Sequence, residues 1–134
     1  MPVSNVLVVE DDDTIRRLLI EYLKAHSHVE VEAARDGVEA LHQLSTHRYT
    51  VIVLDIMMPK MSGVDLLDSL EALRHDPSVK SLEAAPAVLV ITSVSDGEVP
   101  DKALKERFPG VVRSVFRKPL ELNALAKEVE RYVR

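Results

Sequence analysis

Short, β-branched apolar runs alternate with helically spaced apolar residues from one end of this chain to the other. Val6–Val9, Val51–Leu54 and Ala87–Ile91 are apolar at every position, which reads as strands buried on both faces. Val29–Ala33 alternates apolar and charged residues, and Val111–Phe116 is interrupted by Arg113 and Ser114, so each reads as a strand with one wet side. Between the strands, Ile15, Leu18, Leu19, Tyr22 and Leu23 recur at amphipathic-helix spacing, with Asp12 or Asp13 placed as the cap. Asp36 opens a second helix that turns Val38, Leu41 and Leu44 inward, and Leu66, Leu67, Leu70 and Leu73 mark a third. A short polar helix is expected at about 99–108, and Leu122, Leu125, Ala126, Val129, Tyr132 and Val133 mark a closing one.

Five strand–helix repeats within 134 residues predict one α/β domain, a parallel sheet covered by helices on both faces. The three fully apolar strands belong in the centre and the two charged ones at the edges. That gives strand order 2-1-3-4-5, the flavodoxin-like (βα)5 doubly wound arrangement. Ligands of such sheets bind at the carboxyl ends of the strands, where the strand order reverses. The chemistry is therefore expected just after the first and third strands.

Both places are acidic. The first strand ends in Glu10-Asp11 and the third in Asp55, and adjacency would bring the three carboxylates into one cleft. Such a cluster repels itself unless a proton or a cation joins it. Oxygen donors with room for water suit Mg2+ better than Zn2+. Asp12 and Asp13 read as helix caps rather than ligands. The fourth strand ends in Thr92-Ser93, and Lys118-Pro119 follows the fifth. A hydroxyl and an ammonium beside such a cluster are the groups that hold phosphoryl oxygens.

Val6-Leu7-Val8-Val9-Glu10-Asp11-Asp12, the loop Asp55-Ile56-Met57-Met58-Pro59-Lys60-Met61-Ser62-Gly63, Ile91-Thr92-Ser93 and Phe116-Arg117-Lys118-Pro119-Leu120 closely resemble the receiver domains of two-component response regulators. The resemblance runs through all five repeats and implies a single receiver domain over residues 1–134. It implies that Asp55 accepts a phosphoryl group from a histidine kinase or histidine phosphotransfer protein. Mg2+ would be held by Asp11, Asp55 and the backbone carbonyl of Met57, with Glu10 acting through a water. Thr92 would bond a phosphoryl oxygen, and Lys118 would bridge the acids and then the phosphate. The surface around the fourth and fifth strands would switch a downstream target, a missing output domain or a homodimer. The protein would catalyse only its own phosphorylation and dephosphorylation. The Lys118-Pro119 bond is expected to be cis. Pro59 and Gly63 shape the acceptor loop, Gly63 through permissive dihedrals.

Two departures stand out. Receivers usually carry an aromatic three residues before the lysine; here that position is Val115, and the aromatic, Phe116, follows it on the opposite face. Met57 and Val94 are apolar where some relatives orient a hydrolytic water, which predicts slow self-dephosphorylation. The other methionines of the acceptor loop, 58 and 61, read as packing, and Arg74–Ala85 as a surface extension.

A formal charge of −5 argues against direct nucleic-acid binding by this domain. With no cysteine, disulfides and thiolate metal sites are excluded, which suits the cytoplasm. The longest apolar runs fall far short of a membrane span, and the N-terminus carries no signal-peptide core. The histidines at 26, 28, 42, 47 and 75 show no metal-ligand pairing. Two alternatives remain open at this point. One is a haloacid-dehalogenase-type phosphatase with its nucleophile at the end of the first strand, where Asp11-Asp12-Asp13-Thr14 faintly echoes its Asp–x–Asp signature. The other is a docking module of the same fold that works without phosphorylation.

Overall fold

The apolar runs do meet in one sheet. The computed structural model describes residues 5–27, 29–56, 63–74, 86–92, 105–109 and 111–133. It has strands β1 (Asn5–Val9), β2 (Glu30–Ala34), β3 (Val51–Asp55), β4 (Ala87–Thr92) and β5 (Val112–Arg117), with helices α1 (Asp13–His26), α2 (Gly37–Thr46), α3 (Gly63–Arg74) and α4 (Leu122–Tyr132). All pairings are parallel and the order is β2-β1-β3-β4-β5. The charged strands are the edges, as their patterning predicts. Of the helix expected at about 99–108, residues 105–107 are helical and 93–104 lie outside the described residues.

Each central strand feeds two cores because its side chains alternate. Leu7, Val9, Ile52, Leu54, Val88 and Val90 pack with Leu44 of α2, Leu66, Leu67 and Leu70 of α3, and Phe108. Val6, Val8, Val51, Val53, Leu89 and Ile91 pack with Leu19 and Leu23 of α1 and Leu125, Ala126 and Val129 of α4. Each fully buried leucine contributes about 2 kcal/mol by removal from water. Two positions expected inward face solvent: Leu18 is 50% and Val38 54% exposed. Each sits about 100° around its helix from a buried neighbour, Leu19 or Gly37, so it lies on the flank of the apolar stripe. Leu73 falls outside the residues whose side chains are described.

The edges are handled by specific contacts. On β2, Glu32 turns toward the α2 side, where the Tyr49 hydroxyl donates to its Oε1 at 2.8 Å, while Gln43 Nε2 donates to the Ala33 carbonyl at 2.9 Å. On β5 the register jumps from Val88↔Val112 to Leu89↔Ser114, leaving Arg113 as an extra, exposed residue. A bulge on an edge strand twists the open backbone away from further pairing. Beyond it, Val115 packs against the α2–α3 core and Phe116 against the α1–α4 core, so the two do face opposite ways.

Candidate functional site

The site is built from the carboxyl ends of β1, β3, β4 and β5. Glu10 continues β1, its N–H donating to the Ala34 carbonyl of β2 at 3.1 Å. Because Val9 is paired with Leu54, the residue after each, Glu10 and Asp55, also lie side by side. Glu10, Asp11 and Asp55 each offer an oxygen, and these oxygens lie within 4.8 Å of one another. Glu10 is 1% and Asp55 3% exposed, whereas Asp11 faces solvent. Among the described residues this metal-capable group contains carboxylates alone.

Burial, followed by a hydrogen bond and charge from Asp55 and then Asp11, pushes the Glu10 carboxyl up to about 8. Ionised Glu10 is poorly compensated. Its Oε2 accepts the Asp12 N–H at 3.3 Å, and its buried Oε1 has no hydrogen-bond partner among the described residues. An orphaned carboxylate oxygen turned into a group of hard donors, with one donor open to water, fits a divalent cation of oxygen preference. The acidic cluster can therefore hold a metal ion.

Two further groups border the cluster. Lys118 Nζ lies 3.5 Å from Asp55 Oδ2, and the Lys118-Pro119 peptide is cis, as expected. Thr92 is buried at the end of β4, where its carbonyl accepts the Lys118 N–H at 2.8 Å. Asp55 is in register with Ile91, and the next N–H, of Ile56, donates to the Ile91 carbonyl at 3.0 Å. The ladder thus brings Asp55, Thr92 and Lys118 to one rim. Met57, Ser93 and Val94, together with Met58, Pro59 and Met61, lie outside the described residues. So do residues 75–85 of the long connection, and His28 and His75.

Asp12 and Asp13 serve the helix. Asp12 Oδ1 accepts the Ile15 N–H at 2.9 Å as the N-cap of α1, and Asp13 pairs with Arg16. One contributor was not legible from motifs, and one that was, Gly63, acts for a different reason. Arg16 reaches back over the β1–α1 loop to the carbonyls of Glu10 and Asp11. Gly63 is needed for closeness rather than for permissive dihedrals, since its φ does not lie in the left-handed region. A Cβ there would stand 2.7 Å from Ile56 Cα and 2.9 Å from the Asp55 carbonyl oxygen. The start of α3 is thereby pressed against the end of β3, with Gly63 N–H donating to the Ile56 carbonyl at 2.9 Å.

Residues 6–130 match the family model described as the response regulator receiver domain. The regulatory protein VanRB of Enterococcus faecalis is 33% identical over 129 residues, covering 96% of this chain and 52% of that protein. The chemotaxis protein CheY of Halobacterium salinarum is 27% identical over 123 residues, covering 92% of this chain and 94% of that one. Among solved structures, chemotaxis protein CheY4 of Vibrio cholerae superposes with a TM-score of 0.77 at 27% identity, covering 98% of this chain and 99% of the other. The chain spans 52%, 33% and 37% of the first three curated relatives it matches, about a third to a half of their length. No helix among the described residues is long and apolar enough to cross a membrane.

Proposed function

This chain belongs to the response regulator receiver domain family, and from that membership we propose that Asp55 is its phosphoacceptor and that Mg2+ is its metal. The observation that carries the reading is the convergence of three carboxylates within 4.8 Å, with the Lys118 ammonium 3.5 Å from one of them. Asp11 and Asp55 would hold Mg2+ directly together with the Met57 carbonyl, and Glu10 would act through a water. When bound, Mg2+ supplies positive charge for the phosphoryl oxygens and relieves the repulsion among the carboxylates.

The chain's own groups account for the rest. An Asp55 carboxylate oxygen attacks phosphorus in line and forms the P–O bond of an acyl phosphate. The P–N bond of the donor phosphohistidine breaks, and its electron pair returns to the imidazole, which takes up a proton. Lys118 moves from the Asp55 carboxylate to a phosphoryl oxygen, and the Thr92 hydroxyl donates to another. Those shifts bias the surface around β4 and β5 between two arrangements. With Val115 at the usual aromatic position, the bias acts through Thr92, Lys118 and their backbone rather than through an aromatic rotation.

The donor is a histidine kinase or a histidine phosphotransfer protein. The recipient is a downstream protein, an output domain in a longer chain, or a second copy of the phosphorylated domain. Residues 1–134 act as one receiver domain with chemistry on itself alone, working in the cytoplasm. Membership of the receiver family weighs against the phosphatase alternative, whose nucleophile would be Asp11.

Intact-mass spectrometry after incubation with acetyl phosphate and Mg2+ tests the reading. One added phosphoryl group is expected, absent in Asp55→Asn and in a metal-chelated control. A folded protein that gains nothing would instead favour the docking module.

A further inference from the structure

From its contacts we infer that Arg16 is a positioning residue for the metal site, an inference that rests on the Mg2+ reading above. Arg16 Nη1 donates to the Glu10 carbonyl at 2.9 Å and lies 3.4 Å from the Asp11 carbonyl, while Nη2 pairs with Asp13. One guanidinium therefore ties together the backbone of both β1-derived acids and the first residue of α1. Its side chain is 15% exposed, so the fork is held against the loop. A planar guanidinium can reach two carbonyls and a carboxylate at once; an ammonium on a flexible stem cannot hold all three in fixed geometry.

Asp11 is where this matters. Glu10 is fixed from one side by the sheet, through its N–H to Ala34. Asp12 is fixed by capping Ile15 and by accepting the Arg16 N–H at its carbonyl at 2.9 Å. Asp11 stands between them as the exposed member of the cluster. The peptide that follows Asp11 is held at two points, by the Arg16 guanidinium 3.4 Å from the Asp11 carbonyl and by Glu10 Oε2, which accepts the Asp12 N–H at 3.3 Å. Without the guanidinium, the Glu10 and Asp11 carbonyls lose the side-chain donor that fixes their direction, and the loop between the sheet bond of Glu10 and the cap of Asp12 loosens. The two carboxylates then stop presenting their oxygens together with that of Asp55.

The sign of the effect separates positioning from charge. Arg16 is a cation beside a cation site, so by Coulomb's law alone its removal would tighten Mg2+ binding. Positioning predicts the reverse. Loss of a group that orients metal ligands costs roughly tenfold or more in metal affinity.

The experiment is calorimetric titration of MgCl2 into the wild-type protein, Arg16→Met and Arg16→Lys, with circular dichroism and urea unfolding run on each. Arg16→Met is expected to stay folded and bind Mg2+ roughly tenfold or more weakly. Arg16→Lys is expected to fall between it and the wild type, because it restores the charge and only part of the fork. Equal or tighter Mg2+ binding by folded Arg16→Met would overturn the inference. If Arg16→Met does not fold, the lysine variant gives the answer, and wild-type affinity in it would likewise overturn the inference. No Mg2+ binding by the wild-type protein would overturn the metal-site reading itself, and this inference with it.

Discussion

Replacing Glu10 with Gln should stabilise the metal-free protein at neutral pH, because the fold buries a carboxylate it does not fully compensate. Glu10 is 1% exposed, its Oε1 lacks a partner among the described residues, and burial with Asp55 pushes its titration from the ordinary 4.5 up to about 8. The folded state therefore holds a proton that the unfolded chain has released. Such a group contributes its full stability below pH 4.5 and loses it as the pH rises through about 8. The loss runs at about 1.4 kcal/mol per pH unit, or roughly 3 kcal/mol by pH 7. Gln is close to isosteric and has no charge to bury, so the variant escapes this loss.

Urea unfolding in a metal chelator at pH 5, 6, 7 and 8 measures it. The advantage of Glu10→Gln over the wild type is expected to be small at pH 5 and to grow toward pH 8, at constant m-value. Saturating Mg2+ should then shrink or reverse the difference, because a ligand of the native state at 100 times its Kd adds about 2.7 kcal/mol. A stability difference that is flat with pH, or a variant less stable than the wild type at pH 8, would refute the reasoning.

Gly63→Ala should destabilise the domain by about 1–3 kcal/mol and slow phosphorylation by acetyl phosphate, because the new Cβ meets the Ile56 and Asp55 backbone at 2.7 and 2.9 Å. Urea melts and the time course of the mass gain read both, and two unchanged values would show that α3 can back away freely. Asp12→Ala should cost about 1 kcal/mol in the same melts through loss of the cap on Ile15 N–H. A change within error would mean that the α1 N-terminus is capped as well by water.

The fold was legible because patterning alone specifies a buried parallel strand. Runs such as Val51–Leu54 and Ala87–Ile91 have no polar face and fit between two helix layers, while the charges of Glu30, Glu32 and Arg113 tolerate only an edge. Strand order then places the ends of β1 and β3 together, so the meeting of Glu10, Asp11 and Asp55 was foreseeable from residues far apart in the chain. Helix flanks were less so. Periodicity marks Leu18 and Val38 as stripe members, but at 50% and 54% exposed they lie on helix flanks, and how far the packing reaches around each helix is not written in its spacing.

Sequence alone determined the sheet order, the acidic rim and the alternation that sends Val115 and Phe116 to opposite cores. Tertiary structure alone decided which backbone groups hold that rim in place. Arg16 reads as one more helix-surface cation until the turn from β1 into α1 folds its guanidinium over the carbonyls of Glu10 and Asp11. Gly63 reads as a turn glycine until α3 is seen abutting the end of β3 at distances that exclude a Cβ. Side-chain type and spacing encode what is buried. Which donor reaches which carbonyl depends on the angle at which one element leaves another, and that angle is set only when the whole core packs.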